Sequence, residues 1–451
     1  MSIKEALRSK NLKQMISESW AMSWPMTVIM FCTLLIGLAD VYVAGKFGKE
    51  IQAAYGFVFQ VFFIFSIVGT ALTIGAVSLI SRLFTSSRKE ELHAVVDTSL
   101  IAVGIAGILC AFIGIFFSSL AVQVMRLPVV LREPASILLK IYSAGLIGNA
   151  ILVNTNGVLR ACRMIRRSLA TMAIVCVLNV FLNFFLAFQT PLGFSGIGVA
   201  TVISTIVGSV LNIFFIRKLL AGRPRFSSAA FKNIVVIGWP AGVLQVVWQA
   251  GSMILFMILA NLPVHPVEIM AAFTNGLRIE SIIFLPAFAF NMSNAVVVGN
   301  LLGKKDKEAA FHGGIVTALM GVAIVTIMTL IVMVNARHIA AMLSDNPVVV
   351  RESIRYIYIS LISEPFLAWG VILAGGLNGA GDTKSVMRSV IVSVWVFKVP
   401  LSYVLGIIAG WGVTAVWWMM NLAVVVQAVL IGRQYFKKRW LAEGAQTFTF
   451  D

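Results

Sequence analysis

The chain has 451 residues, of which 59% are hydrophobic and only 12% charged, with a formal net charge of +17 at neutral pH. A soluble globular domain carries about a quarter charged residues, so a mean hydropathy of +0.96 excludes an ordinary soluble fold and implies a polytopic membrane protein. The basic excess does not mark a nucleic-acid binder, because the charges are spread over short loops, where Lys and Arg gather on the cytoplasmic side of a membrane.

A helix needs about 20 apolar residues to cross the hydrocarbon core. Runs of that length or more occur at 15–44, 51–82, 92–124, 134–160, 167–189, 194–217, 232–260, 267–302, 309–336, 349–379, 385–409 and 411–434. They predict an all-α polytopic membrane protein with twelve transmembrane helices, called here spans 1 to 12. Several exceed the minimum, which implies tilt or extension beyond the bilayer. The opening M-S-I-K-E-A-L-R-S-K-N-L-K runs into a full-length span with no small-residue cleavage site, and reads as a retained first helix rather than a removed signal peptide. Cys32, Cys110, Cys162 and Cys176 lack the spacing of a disulfide framework or a zinc site.

Alternate loops differ in charge. One set holds 25 basic residues and the other 6, which predicts a multi-pass plasma-membrane protein (an inner membrane in a bacterium) with both termini cytoplasmic. Lys140, Arg278, Arg355 and Lys398 fall inside spans.

The two halves echo each other. Trp24–Pro25 recurs as Trp239–Pro240, Q-A-A-Y-G-F from Gln52 as M-A-A-F-T-N from Met270, A-V-S-L-I-S-R-L-F from Ala76 as A-V-V-V-G-N-L-L-G from Ala295, and G-I-G-V-A-T-V from Gly196 as G-W-G-V-T-A-V from Gly410, at offsets of 214 to 219. Six spans per repeat give both halves the same topology, with a pseudo-two-fold axis along the membrane normal. The expected organisation is two pseudo-symmetric six-helix lobes, residues 1–220 and 221–451, around a central cavity suited to alternating access.

Several motifs in this order carry a resemblance. They are P-M-T-V-I-M-F-C-T-L-L-I-G-L-A-D-V-Y-V-A-G-K-F-G from Pro25, the Ala pair opening span 2, L-I-S-R-L-F before the charged loop, G-G-L-N-G-A-G-D-T-K at Gly375–Lys384, and its first-half counterpart N-G-V-L-R-A-C-R at Asn156. Over nearly its whole length the chain resembles the multidrug and toxic compound extrusion (MATE) transporters of the multidrug/oligosaccharidyl-lipid/polysaccharide flippase superfamily. The resemblance implies a V-shaped pair of lobes and an antiporter that exports organic, often cationic or amphipathic, compounds against inward H+ or Na+. The coupling ion stands in place of any cofactor, and the expected partners are small organic molecules and the lipid bilayer, with no nucleic acid and a monomeric chain.

An ionisable group inside a span is costly and by default marks a transport path. Asp40, near the outer end of span 1, is the first such group. From the residues alone it could instead face outer headgroups or cap a helix end, with Lys46 and Lys49 close by. The resemblance makes it the coupling carboxylate of the first lobe, since a desolvated carboxyl group takes up a proton more readily. Asn179 and Asn183 share one face of span 5, and Thr201 lies in span 6. The resemblance implies that all three line the cation site, with Asn183 standing where many members carry an acid. If Na+ couples, Asp40, Asn179, Asn183 and Thr201 are its ligands, as hard cations take carboxylate and carbonyl oxygens; if H+ couples, Asp40 alone can serve. Interhelical packing is the plainer role for the Asn pair.

The second half differs, with Lys398 near the position equivalent to Asn183. Arg278 and Glu280 in span 8, Arg355 and Glu364 in span 10, and Lys398 in span 11 read either as an ion-pair network tying spans 8, 10 and 11 or as cavity groups. In the second reading Glu280 or Glu364 is another titrating or substrate-binding acid. Pro365 disfavours ordinary helix at Glu364. Asp97 is assigned to packing or capping, and Gly375, Gly376, Gly379 and Gly381 to the turn after span 10. Pro25, Pro240, Pro286 and Pro400 offer places to bend.

No H-E-x-x-H, G-x-S-x-G or Walker motif occurs, so the chain is not read as an enzyme or an ATP-driven pump, and a T-V-G-Y-G filter is likewise missing. The nearest alternative is a flippase for lipid-linked saccharide or other lipid precursors, whose cavity would gather cations such as Lys140, Arg278, Arg355 and Lys398.

Overall fold

A computed structural model describes residues 10–86, 88–125, 127–220 and 225–442. The basic residues Lys4, Arg8, Arg126 and Arg223 counted above lie outside the described residues, as does the side chain of Lys10. Among the described residues there is no strand, and twelve helices are long and apolar enough to cross a membrane. Spans 1 to 6 are Leu12–Lys46, Lys49–Thr85, Lys89–Phe116, Val129–Ala161, Ile165–Phe188 and Ser195–Leu219. Spans 7 to 12 are Ser228–Ala260, Pro266–Gly303, Lys307–Val334, Pro347–Gly379, Thr383–Ile408 and Gly412–Leu441. The all-α class and the span count hold.

Span 3 is shorter than its apolar run. It ends at Phe116, and a separate helix, Ser118–Val124, follows. Span 9 likewise ends at Val334 before the short helix Ala336–Leu343. In both places a side chain takes up a backbone carbonyl near the helix end. Ser118 Oγ donates to the Ile115 carbonyl at 3.0 Å, and Asn335 Nδ2 to that of Ile331 at 2.8 Å. Such local bonds compete with the helical ladder. The paired short helices are a further echo between the halves, hidden because apolarity alone does not register a break.

The chain divides into two compact units. The N-terminal unit comprises Val28–Gly242, and the C-terminal unit joins the start of span 1, up to Thr27, to the chain from Val243 onward. Span 1 changes unit just after Pro25, and span 7 just after Pro240. The Trp-Pro repeat therefore marks the two crossings. Within the C-terminal unit, Ser19 of span 1 is bonded to Thr317 of span 9 at 2.8 Å between hydroxyl oxygens. Within the N-terminal unit, Ala230, Ile234 and Ile237 of span 7 pack with Ala76, Leu79, Leu92 and Leu159.

Lipid tails are as apolar as leucine, so burial alone does not hold such helices together; close packing at small residues does. A side chain at Gly75 would strike the Ile234 carbonyl, and one at Gly238 the Ala71 carbonyl, which brings the start of span 7 onto span 2. In the C-terminal unit, side chains at Gly375 and Gly379 would strike the carbonyls of Asn291 and Ala295. These two glycines thus serve the contact of spans 8 and 10 rather than the turn expected of them. Only Gly381, with φ of 76°, supplies the turn. Asp97 is buried and accepts from the backbone N–H of Arg225 at 3.2 Å, holding the segment between the repeats against span 3.

Span 10 departs from α-helical form at the 3₁₀ turn Leu361–Ser363. Glu364 itself is α-helical, with Pro365 in the first turn of the following segment. The break expected at Glu364 therefore falls one turn earlier, where the missing proline N–H costs the helix least. Gly375→Ala is expected to lower the unfolding temperature in detergent, with overpacking costing about 1–3 kcal/mol. Gly104→Ala, with open space around the added carbon, should leave it unchanged or raise it.

Candidate functional site

Asp40 lies near the C-terminal end of span 1 and is only 3% exposed. It neither faces the surface nor caps a helix. Four side chains from four other spans donate to it. The hydroxyls of Tyr55 (span 2), Tyr142 (span 4) and Thr201 (span 6) reach Oδ2 at 3.2, 3.1 and 3.4 Å, and Asn183 Nδ2 (span 5) donates to Oδ1. Lys46 sits over the Tyr42 ring, 5.1 Å from its centroid, and Lys49 pairs with Glu50 at 3.9 Å. Among the described residues no Lys, Arg or His forms an ion pair with Asp40.

Asn179 completes the group, donating to Thr201 Oγ1 at 3.1 Å and Ser204 Oγ at 3.4 Å. Its own amide oxygen and that of Asn183 are buried without a hydrogen-bond partner. The structure thus brings together all four residues expected of the first-lobe site. It adds two tyrosines that the reading of the sequence missed. Buried polar atoms are nearly always paired, so a carboxylate beside two orphaned amide oxygens is a place deficient in positive charge. A proton on the carboxyl group or a small hard cation would relieve that deficiency.

Of the second-half residues, Glu280, Glu364 and Lys398 are electrostatically linked, whereas Arg278 and Arg355 are exposed. Glu280 is half-buried on span 8 and accepts from the hydroxyl of Tyr356 on span 10 at 2.7 Å. Lys398 on span 11 is its electrostatic partner, and Glu364 is buried at 4% exposure. Tyr356 therefore joins spans 8 and 10, and among the described residues Lys398 makes no ion pair with either acid. Arg278 is exposed, two residues from Glu280. Arg355 is exposed and turns to Glu352, one helical turn away, at 3.3 Å. Lys140 is exposed on span 4 of the other unit. Tyr356 was not singled out in the sequence, although its ring packs on Trp417, with centroids 4.7 Å apart, and on Phe273, at 5.6 Å.

Twelve spans in two repeats, with an acid held in the interior of one unit, describe a multi-pass transport protein. The family model MatE matches residues 25–185 and again residues 240–404, and the chain belongs to the MatE family. Each match begins at the proline of a Trp-Pro pair. Among curated relatives, an uncharacterized transporter, YisQ, of Bacillus subtilis is 19% identical over 94% of this chain and 95% of its own. A probable multidrug resistance protein, NorM, of Thermotoga maritima is 23% identical over 84% of each. Among solved structures, a MOP-superfamily transporter of Pyrococcus furiosus, described as having a binding pocket of reverse polarity, superposes with a TM-score of 0.89 at 20% identity, covering 96% of this chain and 99% of that one. An outward-facing multidrug resistance MATE transporter of the same superfamily gives 0.88 at 19% identity, with the same coverage.

Tyr142→Phe removes one bond to a charged group, worth about 1.5–3 kcal/mol. It is expected to lower the unfolding temperature in detergent, and by clearly less in an Asp40→Asn background. Thermal unfolding of the four proteins of this cycle measures the coupling.

Proposed function

We propose that the protein is a secondary active antiporter that exports organic cations or amphipathic compounds, driven by inward H+ or Na+ through alternating access. The observation that carries this reading is the solvated but uncompensated charge of Asp40. Four donors hold the carboxylate, no Lys, Arg or His among the described residues pairs with it, and two amide oxygens beside it lack partners. Such a site binds and releases a mobile cation as its exposure to water changes, which is what coupling requires. The NorM relative and the MatE match support drug-like substrates. Residues of the basic loops support cytoplasmic termini, so that Asp40 meets the outer side first.

The flippase alternative calls for several cations gathered on one surface. Here Arg355 is paired with Glu352 and Lys398 interacts with Glu280, while the buried Asp40 site has unpartnered amide oxygens suited to a cation, so the efflux reading is the better supported. The test is reconstitution in liposomes with a fluorescent organic cation and imposed proton or sodium gradients. One gradient should drive transport by the wild type, and Asp40→Asn should reduce that transport by at least tenfold, the order expected when a single coupling group is lost. Unchanged transport by Asp40→Asn would refute the reading.

A further inference from the structure

Within the C-terminal unit, the end of span 12 packs on the start of span 9. The Tyr435 hydroxyl donates to the carbonyls of Ala310 and Phe311, at 3.3 and 3.1 Å. Span 8 ends at Gly303, just before span 9 begins at Lys307. Lys304, Lys305, Lys307, Lys437, Lys438 and Arg439 therefore gather at one end of the unit, against only two nearby acids in the chain, Asp306 and Glu308. Asp306 is already engaged, accepting from the Ala309 N–H at 2.9 Å as the cap of span 9. Among the described residues, Lys304, Lys305, Lys437, Lys438 and Arg439 form no ion pair.

A cavity of about 310 Å³ opens in this cluster, lined by Lys307, Glu308, Phe311, Lys438, Leu441 and Ala442. Ligand sites span roughly 300–1,000 Å³, so the cavity has room for more than a lone ion. One side of it is apolar. Phe311 forms its floor, and Phe436, edge-on to Phe311 with centroids 5.7 Å apart, is 46% exposed. The other side is cationic. Lys438 Nζ lies 4.2 Å from the centroid of the Phe311 ring, which attracts the charge but offers its N–H groups no oxygen.

The backbone is shaped to hold that lysine. Lys438 has a φ of 56° and Lys305 of 62°, in the left-handed region where glycine is the usual residue after a helix. Trp440 donates from Nε1 to the Tyr435 carbonyl at 2.9 Å, and the Leu441 N–H to the Lys438 carbonyl at 3.0 Å, which folds the chain back beside the cavity. An unfavourable backbone kept under a functional side chain points to a use for it. Spans 9 and 12 have 28 and 30 residues, whereas about 20 cross the hydrocarbon core, so their ends reach the depth of the lipid headgroups.

We propose that this cavity binds one anionic phospholipid, with its phosphate taken by Lys438 and Lys307 and its acyl chains laid along Phe436. Basic pockets at the ends of spans recognise such headgroups, and an amphiphile matches a site with one cationic and one apolar side. These cations stand at the ends of the spans rather than at membrane depth. The lipid is therefore a bound neighbour and not cargo, and the proposal does not depend on the efflux reading.

The test is native mass spectrometry of the full chain in detergent, titrated with dioleoylphosphatidylglycerol, dioleoylphosphatidylethanolamine or dioleoylphosphatidylcholine. The phosphatidylglycerol should bind about tenfold more tightly than either zwitterionic lipid. Lys438→Gln should weaken its binding about fivefold, the order expected for one lysine at an anionic headgroup. Lys384→Gln removes the same charge from the same unit outside the cavity lining and should change binding by less than about twofold. Glu308→Gln should tighten it, because an acid beside the phosphate is removed. Excess inorganic phosphate should not displace the lipid, which also holds to Phe436. Equal binding of the three lipids, equal losses in Lys384→Gln and Lys438→Gln, weaker binding in Glu308→Gln, or displacement by phosphate would each overturn the proposal.

Discussion

The constraint on which the N-terminal unit depends is the cost of keeping one carboxylate away from water at membrane depth. An ionised side chain there is tolerated only when other groups replace its hydration. Asp40 obtains that replacement from spans 2, 4, 5 and 6 at once. The acid therefore acts as a fastening point for five helices that have little hydrophobic reason to associate in lipid. Its solvation is nearly complete, yet its charge is not cancelled. That combination is what the proposed coupling role requires and what a structural ion pair lacks.

The C-terminal unit meets the same problem differently. Glu280 accepts from Tyr356 and interacts electrostatically with Lys398 and with a second acid, Glu364, and span 11 adopts π turns on either side of Val399–Tyr403. Close packing at Gly375 and Gly379 sets spans 8 and 10 backbone to backbone, which brings Glu280 and Tyr356 within hydrogen-bonding reach. The two halves thus carry their buried acids at different places of the repeat, Asp40 on the first span of its half and Glu280 on the second span of its half.

Much of this was legible in the sequence because lipid imposes strong patterns. Apolar length located twelve spans, most of their ends to within a few residues, with the ends of spans 3 and 12 as the exceptions, and the resemblance to the MATE transporters picked out Asp40, Asn179, Asn183 and Thr201, four members of one cluster. What stayed hidden depended on three-dimensional approach. Tyr55 and Tyr142 look like ordinary aromatics until their hydroxyls are seen on Asp40, although the spacing of Tyr142 and Tyr356 carried a signal. The break after Phe116 turns on Ser118, whose hydroxyl takes a backbone carbonyl inside an apolar run. The glycines of span 10 read as a turn because a sequence does not reveal which backbone lies against them. Arg278 drew notice as an intramembrane charge, but its position two residues from Glu280 places it on a different face of the helix.

The most direct measurement is the ion movement evoked by substrate in proteoliposomes, compared among the wild type, Asp40→Asn and Glu280→Gln/Lys398→Met. If Asp40 is the coupling acid, substrate addition should evoke proton or sodium flux in the wild type and in the Glu280→Gln/Lys398→Met protein, and none in Asp40→Asn. Flux that persists in Asp40→Asn, or that disappears only when Glu280 and Lys398 are replaced, would contradict the assignment and move coupling to the C-terminal unit.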